Sequence, residues 1–123
     1  MIKNSQSLKR EKIEMDAAGQ VVGRMASRIA MILMGKHKPD YVAHMDTGDS
    51  VVVKNVADLR FTGKKLEQKV YRHHSMHPGG LKEKLASKVV KEDPKQILLS
   101  AVSKMLPKNK MRTGRLLRIS FKK

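Results

Sequence analysis

The stretch VYRHHSMHPGG, residues 70–80, places three histidines within five positions: His73, His74 and His77. Clustered imidazoles are typical of a metal centre or of a site that handles phosphate. Adjacent side chains of a strand point to opposite faces, so His73 and His74 cannot both reach one ion from regular β structure. The chain has no cysteine and no HExxH pattern. Histidines beside Arg72 and a Gly-Gly pair therefore favour contacts with phosphate, ribose or bases over a metal site.

The segment MDTGD, residues 45–49, contains the Asp-Thr-Gly tripeptide of aspartic proteases. Those enzymes need two such aspartates that share one proton, which this chain could supply only as a homodimer. The surrounding sequence is polar and basic, which favours ionised carboxylates at Asp46 and Asp49. We therefore expect a turn whose Asp side chains bond the backbone. A histidine-metal hydrolase and a dimeric aspartic protease stay as the enzymatic alternatives.

The segment GQVVGR, residues 19–24, lies between a predicted strand and a predicted helix, where phosphate-binding loops occur. It lacks the Gly-Lys-Ser/Thr ending of a nucleotide-binding loop. Arg24 lies in the first helical turn and Arg28 one turn later, where cations are unfavourable against the helix dipole. A bound phosphate would turn these arginines into part of an anion site. The alternative is a pair of solvated arginines.

The region around SKMLPKNKMRTGR, residues 103–115, is strongly basic. Six cations flank or follow Pro107: Lys104, Lys108, Lys110, Arg112, Arg115 and Arg118. Asn109 and Gly114 predict a loop that can follow an irregular polyanion. The chain has only two Tyr and two Phe, so base stacking on an aromatic sheet platform is poorly supported. Contacts with the phosphates and shape of structured RNA are favoured instead.

Charge defines the class of partner. The 123 residues include 27 Lys plus Arg against 11 Asp plus Glu, for a net charge of +16, and no acidic residue follows Asp93. A field this strong destabilises a small compact domain unless a polyanion neutralises it. Nucleic acid is the expected partner, with an anionic membrane surface as the second choice. No apolar run approaches the roughly 20 residues of a membrane span.

Hydrophobic spacing predicts the elements that position these residues. We expect a short strand within residues 12–19 and a largely buried helix over residues 21–35, which Gly35 ends. We expect a second strand within residues 50–56, with its three valines buried on both faces. A third strand is expected within residues 68–75.

The second half of the chain has a more helical pattern. Residues 81–91 predict a helix with Leu81, Leu85 and Val89 facing inward. The next helix begins at Asp93 and Pro94, a good N-cap pair, and runs to Pro107, after which GRLLRISF forms a short helical turn or strand. Alternating strands and helices predict an α/β architecture with right-handed crossovers.

Several motifs together resemble one known family. In order, they are DAAGQVVGRMAS, GKHKPDYVAHMDTGD, VVVKNV, FTGKK, KVYRHHSMHPGG and VSKMLPKNKMRTGRLL. They resemble the large-subunit ribosomal protein thirteen family of bacterial type, collinearly from about Met15 to Phe121. The MLP element and the basic and glycine positions after it are the most diagnostic part.

The resemblance implies a three-layer α/β/α fold around a mostly parallel four-stranded sheet, as a single domain over residues 11–123 after a basic tail of residues 1–10. It implies a structural protein without catalytic activity, cofactor, metal, small-molecule substrate or membrane contact. Its expected partners are large-subunit ribosomal RNA and neighbouring ribosomal proteins, in a cytoplasmic or organellar ribosome. Regulation of a messenger RNA outside the ribosome stays open as an alternative. The residues expected to bind RNA are Arg24, Arg28, Lys36, His37, Lys38, His44, Lys64, Lys65, Arg72, His73, His74, His77, Lys104, Lys108, Lys110, Arg112 and Arg115.

Overall fold

Five strands and five helices make up the fold in a computed structural model, which describes residues 10–39 and 41–122. The strands are Lys12–Asp16 (β1), Ser50–Lys54 (β2), Val70–His74 (β3), Leu81–Leu85 (β4) and Ile119–Lys122 (β5). The helices are Val22–Met34 (α1), Lys65–Gln68 (α2), Ala86–Glu92 (α3), Pro94–Met105 (α4) and Met111–Leu117 (α5), with a 3₁₀ turn at Val56–Asp58. Except for Arg10, the predicted basic tail lies outside the described residues.

A parallel sheet in the order β1-β2-β5 forms the centre of the fold. Its register aligns Ile13 with Val51 and Val51 with Ile119. These side chains share one face with Val53, and α1 and α4 pack against that face in a single hydrophobic core. The predicted α/β class with a parallel sheet is confirmed.

The second face of this sheet is polar. Glu14 and Ser120 align with Val52 on this face and are exposed, while Val52 is half-buried. The expectation that all three valines of β2 are buried on both faces is therefore wrong for Val52. Within the described strands, no residue on this face is buried, so the second helical layer expected from the resemblance is not found there.

The predicted four-stranded sheet is also not found in the described part of the chain. The third strand in sequence, β3, pairs with β4 in a separate antiparallel hairpin, from Val70 opposite Leu85 to His74 opposite Leu81. The backbone N–H and C=O groups of β3 form their hydrogen bonds with β4, so β3 does not join the main sheet. The sheet therefore has three strands and the hairpin two.

The predicted helix ends are confirmed where local chemistry defines them. Gly35 ends α1 with a φ of 86°, and its N–H bonds the carbonyls of Ile32 and Met31. Such a left-handed backbone favours glycine. Asp93 caps α4, since its side chain accepts a hydrogen bond from the Lys95 N–H at 3.3 Å.

Two predicted elements differ from the structure. Residues 81–85 form β4 instead of the first half of a helix, and Leu81 and Leu85 are 56% and 49% exposed instead of inward-facing. Pairing with β3 overrides the helical spacing of these leucines. The predicted loop after Pro107 contains α5, which includes Gly114. Within the described ranges, no helix has the length and apolar character needed to cross a bilayer.

Candidate nucleic-acid interface

The β3–β4 hairpin holds the three clustered histidines apart. His73 and His74 lie on opposite faces of β3, as predicted, and both are exposed along with His77 in the connecting loop. The Met76 N–H donates to His74 Nδ1 at 2.9 Å, so the proton of a neutral His74 ring lies on Nε2. No group of three potential metal ligands occurs among residues 10–39 and 41–122. The hairpin presents separate imidazoles to solvent.

The charged side chains of the hairpin are solvated even where they pair. Arg72 Nε lies 3.0 Å from Glu83 Oε1, and the two side chains are 64% and 49% exposed. Met76 at the tip is 87% exposed and has a φ of 67°. These side chains therefore face solvent, whereas Val70 and Tyr71 at the start of β3 are half-buried and Lys84 pairs with Glu92 of α3.

In the DTGD segment, unlike the hairpin, the paired charges are largely shielded from solvent. The first carboxylate, Asp46, binds arginines. Asp46 Oδ1 accepts from Arg118 Nη2 at 2.8 Å, and Asp46 Oδ2 accepts from Arg118 Nη1. Arg115 Nε lies 3.5 Å from Asp46 Oδ1, and the Arg115 side chain is 1% exposed. Arg10 Nη1 lies 3.7 Å from the same oxygen. Two arginines of the α5–β5 region are thus tied to a loop far away in sequence.

The second carboxylate of the segment is itself buried. The Asp49 side chain is 1% exposed and lies 2.8 Å from both His37 Nε2 and Lys38 Nζ. It also accepts from the Glu11 N–H at 3.2 Å. We refer to Asp46, Asp49 and their basic partners Arg10, His37, Lys38, Arg115 and Arg118 as the aspartate cluster.

Both carboxylates of the aspartate cluster are held in the ionised form. Burial alone would raise the pKa of Asp46, but the hydrogen bonds from Arg118 and the arginine charges outweigh it and lower that pKa. Burial likewise opposes ionisation of Asp49, while bonds from Lys38, the Glu11 N–H and His37 lower its pKa. Ionised carboxylates are as predicted, although their main partners are cationic side chains instead of turn backbone. Arg118 donates to both oxygens of Asp46, whereas protease chemistry requires an aspartate that shares a proton with a second one.

Gly48 brings the DTGD segment against the end of α1. A Cβ at Gly48 would lie 1.7 Å from the Leu33 carbonyl oxygen, so no larger residue fits without a backbone shift. Arg118 Nη2 donates to that same carbonyl at 2.7 Å. Sequence reasoning missed Arg118 and Arg10 as partners because Asp46 lies 72 and 36 residues away from them.

The predicted RNA-binding residues at one end of the α1–α4 pair form an exposed basic surface. Arg24 and Arg28 are exposed on α1, and Ser27 between them contacts Met105 at the end of α4, with Ser27 Oγ 3.5 Å from Met105 Sδ. Lys104 therefore lies next to this face of α1. Lys104 also lines a pocket with the predicted Lys65 and with two cations that sequence reasoning missed, Arg60 and Lys69. Arg60 has no sequence signal besides its charge, whereas Lys69 is the first residue of the KVYRHHSMHPGG motif.

The remaining predicted residues are spread over loops. These residues are Lys36, His44, Lys64, Lys108, Lys110 and Arg112. Arg112 is half-buried and the others are exposed. Among the described residues, no carboxylate lies within 4.0 Å of any of them. Three predicted residues differ from this group, because His37, Lys38 and Arg115 bind the aspartates. The predicted set therefore separates into solvent-facing cations and cations that hold the fold together.

Comparison with known proteins identifies the family. The model of the ribosomal protein L13 family matches residues 10–121. The chain belongs to this family. It is 57% identical over 102 residues to the large ribosomal subunit protein uL13 of Syntrophus aciditrophicus, which covers 83% of this chain and 72% of that protein. It is 48% identical over 114 residues to uL13 of Thermotoga maritima, covering 89% of this chain and 76% of the relative.

Membership of the L13 family confirms the resemblance read from the sequence motifs. The family comprises structural ribosomal proteins and not enzymes. The two hydrolase alternatives find no support in the chain's relatives. The aspartates that suggested a protease are ion-pair partners in the L13 fold.

Proposed function

We propose that this protein is a structural constituent of the large ribosomal subunit that binds and organises ribosomal RNA during assembly and translation. The main support for this proposal is the family match over residues 10–121, and the relatives are named as large-subunit proteins. The net charge of +16 gives the physical basis, since lysines and arginines that neutralise phosphates release counterions. Neighbouring large-subunit proteins are the further proposed partners.

Solvent-facing cations are the proposed RNA contacts. Most of them fall in three regions, which are the α1 face with Lys104, the loop and helix after Pro107, and the β3–β4 hairpin; Lys36, His44 and Lys64 lie in other loops. Each region combines positive charge with irregular or exposed backbone, which suits phosphate contacts on structured RNA. Together they would contact separate parts of the RNA and fix their relative positions.

The cations of the aspartate cluster have a different proposed role. Arg115 is 1% exposed and lies beside Asp46, so a phosphate could reach it only if this ion pair opened. Lys38 and His37 are similarly occupied with Asp49. We assign these three residues to positioning: they hold the loop before β2 and the α5 region in place so that the exposed cations nearby meet RNA.

The salt dependence of binding tests the proposal. Affinity for large-subunit ribosomal RNA should fall steeply with salt, by about 0.7 to 0.9 log units per phosphate contact for each log unit of salt. The variant with Lys108, Lys110 and Arg112 all changed to Gln should show a shallower slope. A matched control changes Lys12, Lys91 and Lys122 to Gln, which removes the same charge from exposed positions elsewhere.

The outcome distinguishes a specific surface from general attraction. The proposal requires the first variant to lose clearly more affinity and slope than the control, and requires the wild-type protein to co-sediment with large subunits at moderate salt. Equal losses in the two variants would mean that only net charge matters. Salt-indifferent binding would rule out recognition through phosphates.

A further inference from the structure

A pocket with an apolar floor and a cationic rim lies between α1, the segment after the 3₁₀ turn, and α4. Its volume is about 200 Å³. The floor includes Val21, Val22, Phe61, Ala101 and Met105. Backbone hydrogen bonds fix one wall, because the Val22 N–H donates to the Arg60 carbonyl at 3.1 Å and the Arg60 N–H to the Gln20 carbonyl at 2.9 Å.

The rim of this pocket carries four positive charges and no acidic side chain. Arg60, Lys65 and Lys69 come from one stretch of ten residues after the 3₁₀ turn, Lys104 comes from α4, and all four line the pocket. Among the described residues, no carboxylate lies within 4.0 Å of any of them. Unlike the cations of the aspartate cluster, they are exposed and available to an anion.

We propose that this pocket takes one unpaired nucleotide of RNA, with its base on the apolar floor and the adjacent phosphates on the cationic rim. An apolar cavity ringed by cations complements a nucleotide, which joins an aromatic face to charged phosphates. Phe61 is half-buried in the wall and offers an aromatic surface to the base. Bases that are unstacked from their helix bind proteins in this way, through aromatic or apolar contact together with backbone charge. The inference rests on the proposed RNA-binding function and narrows it to unpaired RNA at this position.

The pocket can be filled without touching its charges. Gly23 lines it, and a Cβ at Gly23 would meet no atom within 4 Å, so this residue faces open space. Gly23→Met adds a long apolar side chain at this position and is compatible with the helix. Thr62→Met fills the pocket from the opposite loop, since Thr62 is exposed and lines the same space.

Binding of two RNAs distinguishes base insertion from phosphate attraction. The probes are a fluorescent oligoadenosine of about ten nucleotides, within the usual span of a single-strand site, and an RNA duplex of the same length. Fluorescence anisotropy gives the Kd of each at fixed salt. We expect Gly23→Met to weaken binding of the single strand about tenfold, the magnitude of one lost base contact. Binding of the duplex should change less than about twofold, because it keeps its phosphate contacts.

Ala18→Met is the matched control, since it places the same side chain at an exposed position outside the pocket. It should leave both Kd values unchanged. Lys104→Gln should weaken both probes, because the rim contacts phosphates of either RNA. Thermal melting identifies any filling variant that fails to fold, and Thr62→Met then replaces Gly23→Met as the deciding variant.

Two outcomes overturn the inference. Equal losses for single strand and duplex, or no loss beyond that of Ala18→Met, would leave the rim as a phosphate site without base entry. Failure of the proposed function looks different: the wild-type protein would then bind large-subunit ribosomal RNA without salt dependence, whatever the filling variants do.

Discussion

In the aspartate cluster Arg115 is 1% exposed and lies 3.5 Å from Asp46, whereas in the hairpin Arg72 is 64% exposed although it lies 3.0 Å from Glu83. Both are arginine–carboxylate pairs in a strongly basic chain. Removing one partner of a buried pair leaves an uncompensated charge in a medium of low polarity. Removing one partner of an exposed pair leaves a charge that water solvates. Burial, and not distance, therefore separates the basic residues that are tied into the fold from those that stay in solvent, where we propose that RNA binds.

The largest expected effect comes from Gly48, where the DTGD segment touches the end of α1. Gly48→Ala places a Cβ 1.7 Å from the Leu33 carbonyl oxygen, so the loop must move away from α1. Overpacking of this kind, together with the disturbed Arg118 contacts, should lower the free energy of unfolding by about 3 kcal/mol. Denaturant unfolding followed by circular dichroism measures it.

Gly114→Ala provides the control for this glycine. Gly114 lies within α5, and a Cβ there meets nothing within 4 Å. Alanine should stabilise the protein slightly, by about 0.5 to 1 kcal/mol, because it favours the helix. If Gly48→Ala unfolds at the same denaturant concentration as the wild type, the DTGD segment is not packed closely against α1.

The two ion pairs can be compared directly by neutralising one acid in each. Asp46→Asn should lower the free energy of unfolding by about 2 kcal/mol, because it leaves the buried Arg115 without its carboxylate. That figure lies below the usual range for a fully buried pair since Asp46 is itself 22% exposed. Glu83→Gln in the hairpin should cost less than about 1 kcal/mol. Comparable losses in the two variants would show that burial does not separate the two regions.

Asp46→Asn also tests whether RNA binding depends on the position of the cations in the α5 region or only on the net charge of the protein. The variant has one more positive charge than the wild type, so electrostatic attraction alone predicts tighter binding to ribosomal RNA. Loss of the hydrogen bonds from Arg118 and of the ion pair with Arg115 should instead weaken binding, because these contacts help to fix α5 and the loop after Pro107. Filter binding at a temperature well below the melting point of the variant decides between the two. Tighter binding would assign the aspartate cluster to stability alone.

The stability contributed by the aspartate cluster should also depend on pH. The pKa values of Asp46 and Asp49 are lowered in the folded protein, so the unfolded chain takes up protons first as pH falls. Their contribution to stability is complete above about pH 5 and is lost as the pH falls towards the folded-state pKa values, below the ordinary value of about 3.9. Melting temperatures between neutral and acidic pH should therefore fall more for the wild type than for Asp49→Asn. Parallel curves would mean that Asp49 contributes no pH-dependent stability.

Sequence patterns predicted the structural features that depend on residues close together in the sequence. The cap residues Gly35 and Asp93 and the buried stripe of α1 follow from local geometry, and the structure shows them as expected. The strand at residues 81–85 was missed because its leucines have helical spacing, and only pairing with β3 makes it a strand. Local reasoning could also not pair Asp46 with Arg118, 72 residues away.

The sequence predicted the class of partner for the candidate interface, but not which basic residues are exposed there. Charge counting indicated a polyanion partner, and the motifs identified the family. Neither could show that Arg115 is buried while Lys104 is exposed, because burial depends on contacts between distant segments. For the same reason Arg60, which lies in none of the quoted motifs, and Lys69, the first residue of KVYRHHSMHPGG, were missed at the pocket they share with Lys65.

The smallest effect on stability is expected at the hairpin, where all three histidines are exposed. His74→Ala with His77→Ala should change the free energy of unfolding by less than about 0.5 kcal/mol, as is usual for surface positions. Affinity for ribosomal RNA should fall about threefold, because two imidazoles that can bond phosphate or bases are lost. If the double variant instead destabilised the domain as much as Asp46→Asn does, the hairpin would be part of the folding core, and exposure would no longer mark the residues that meet RNA.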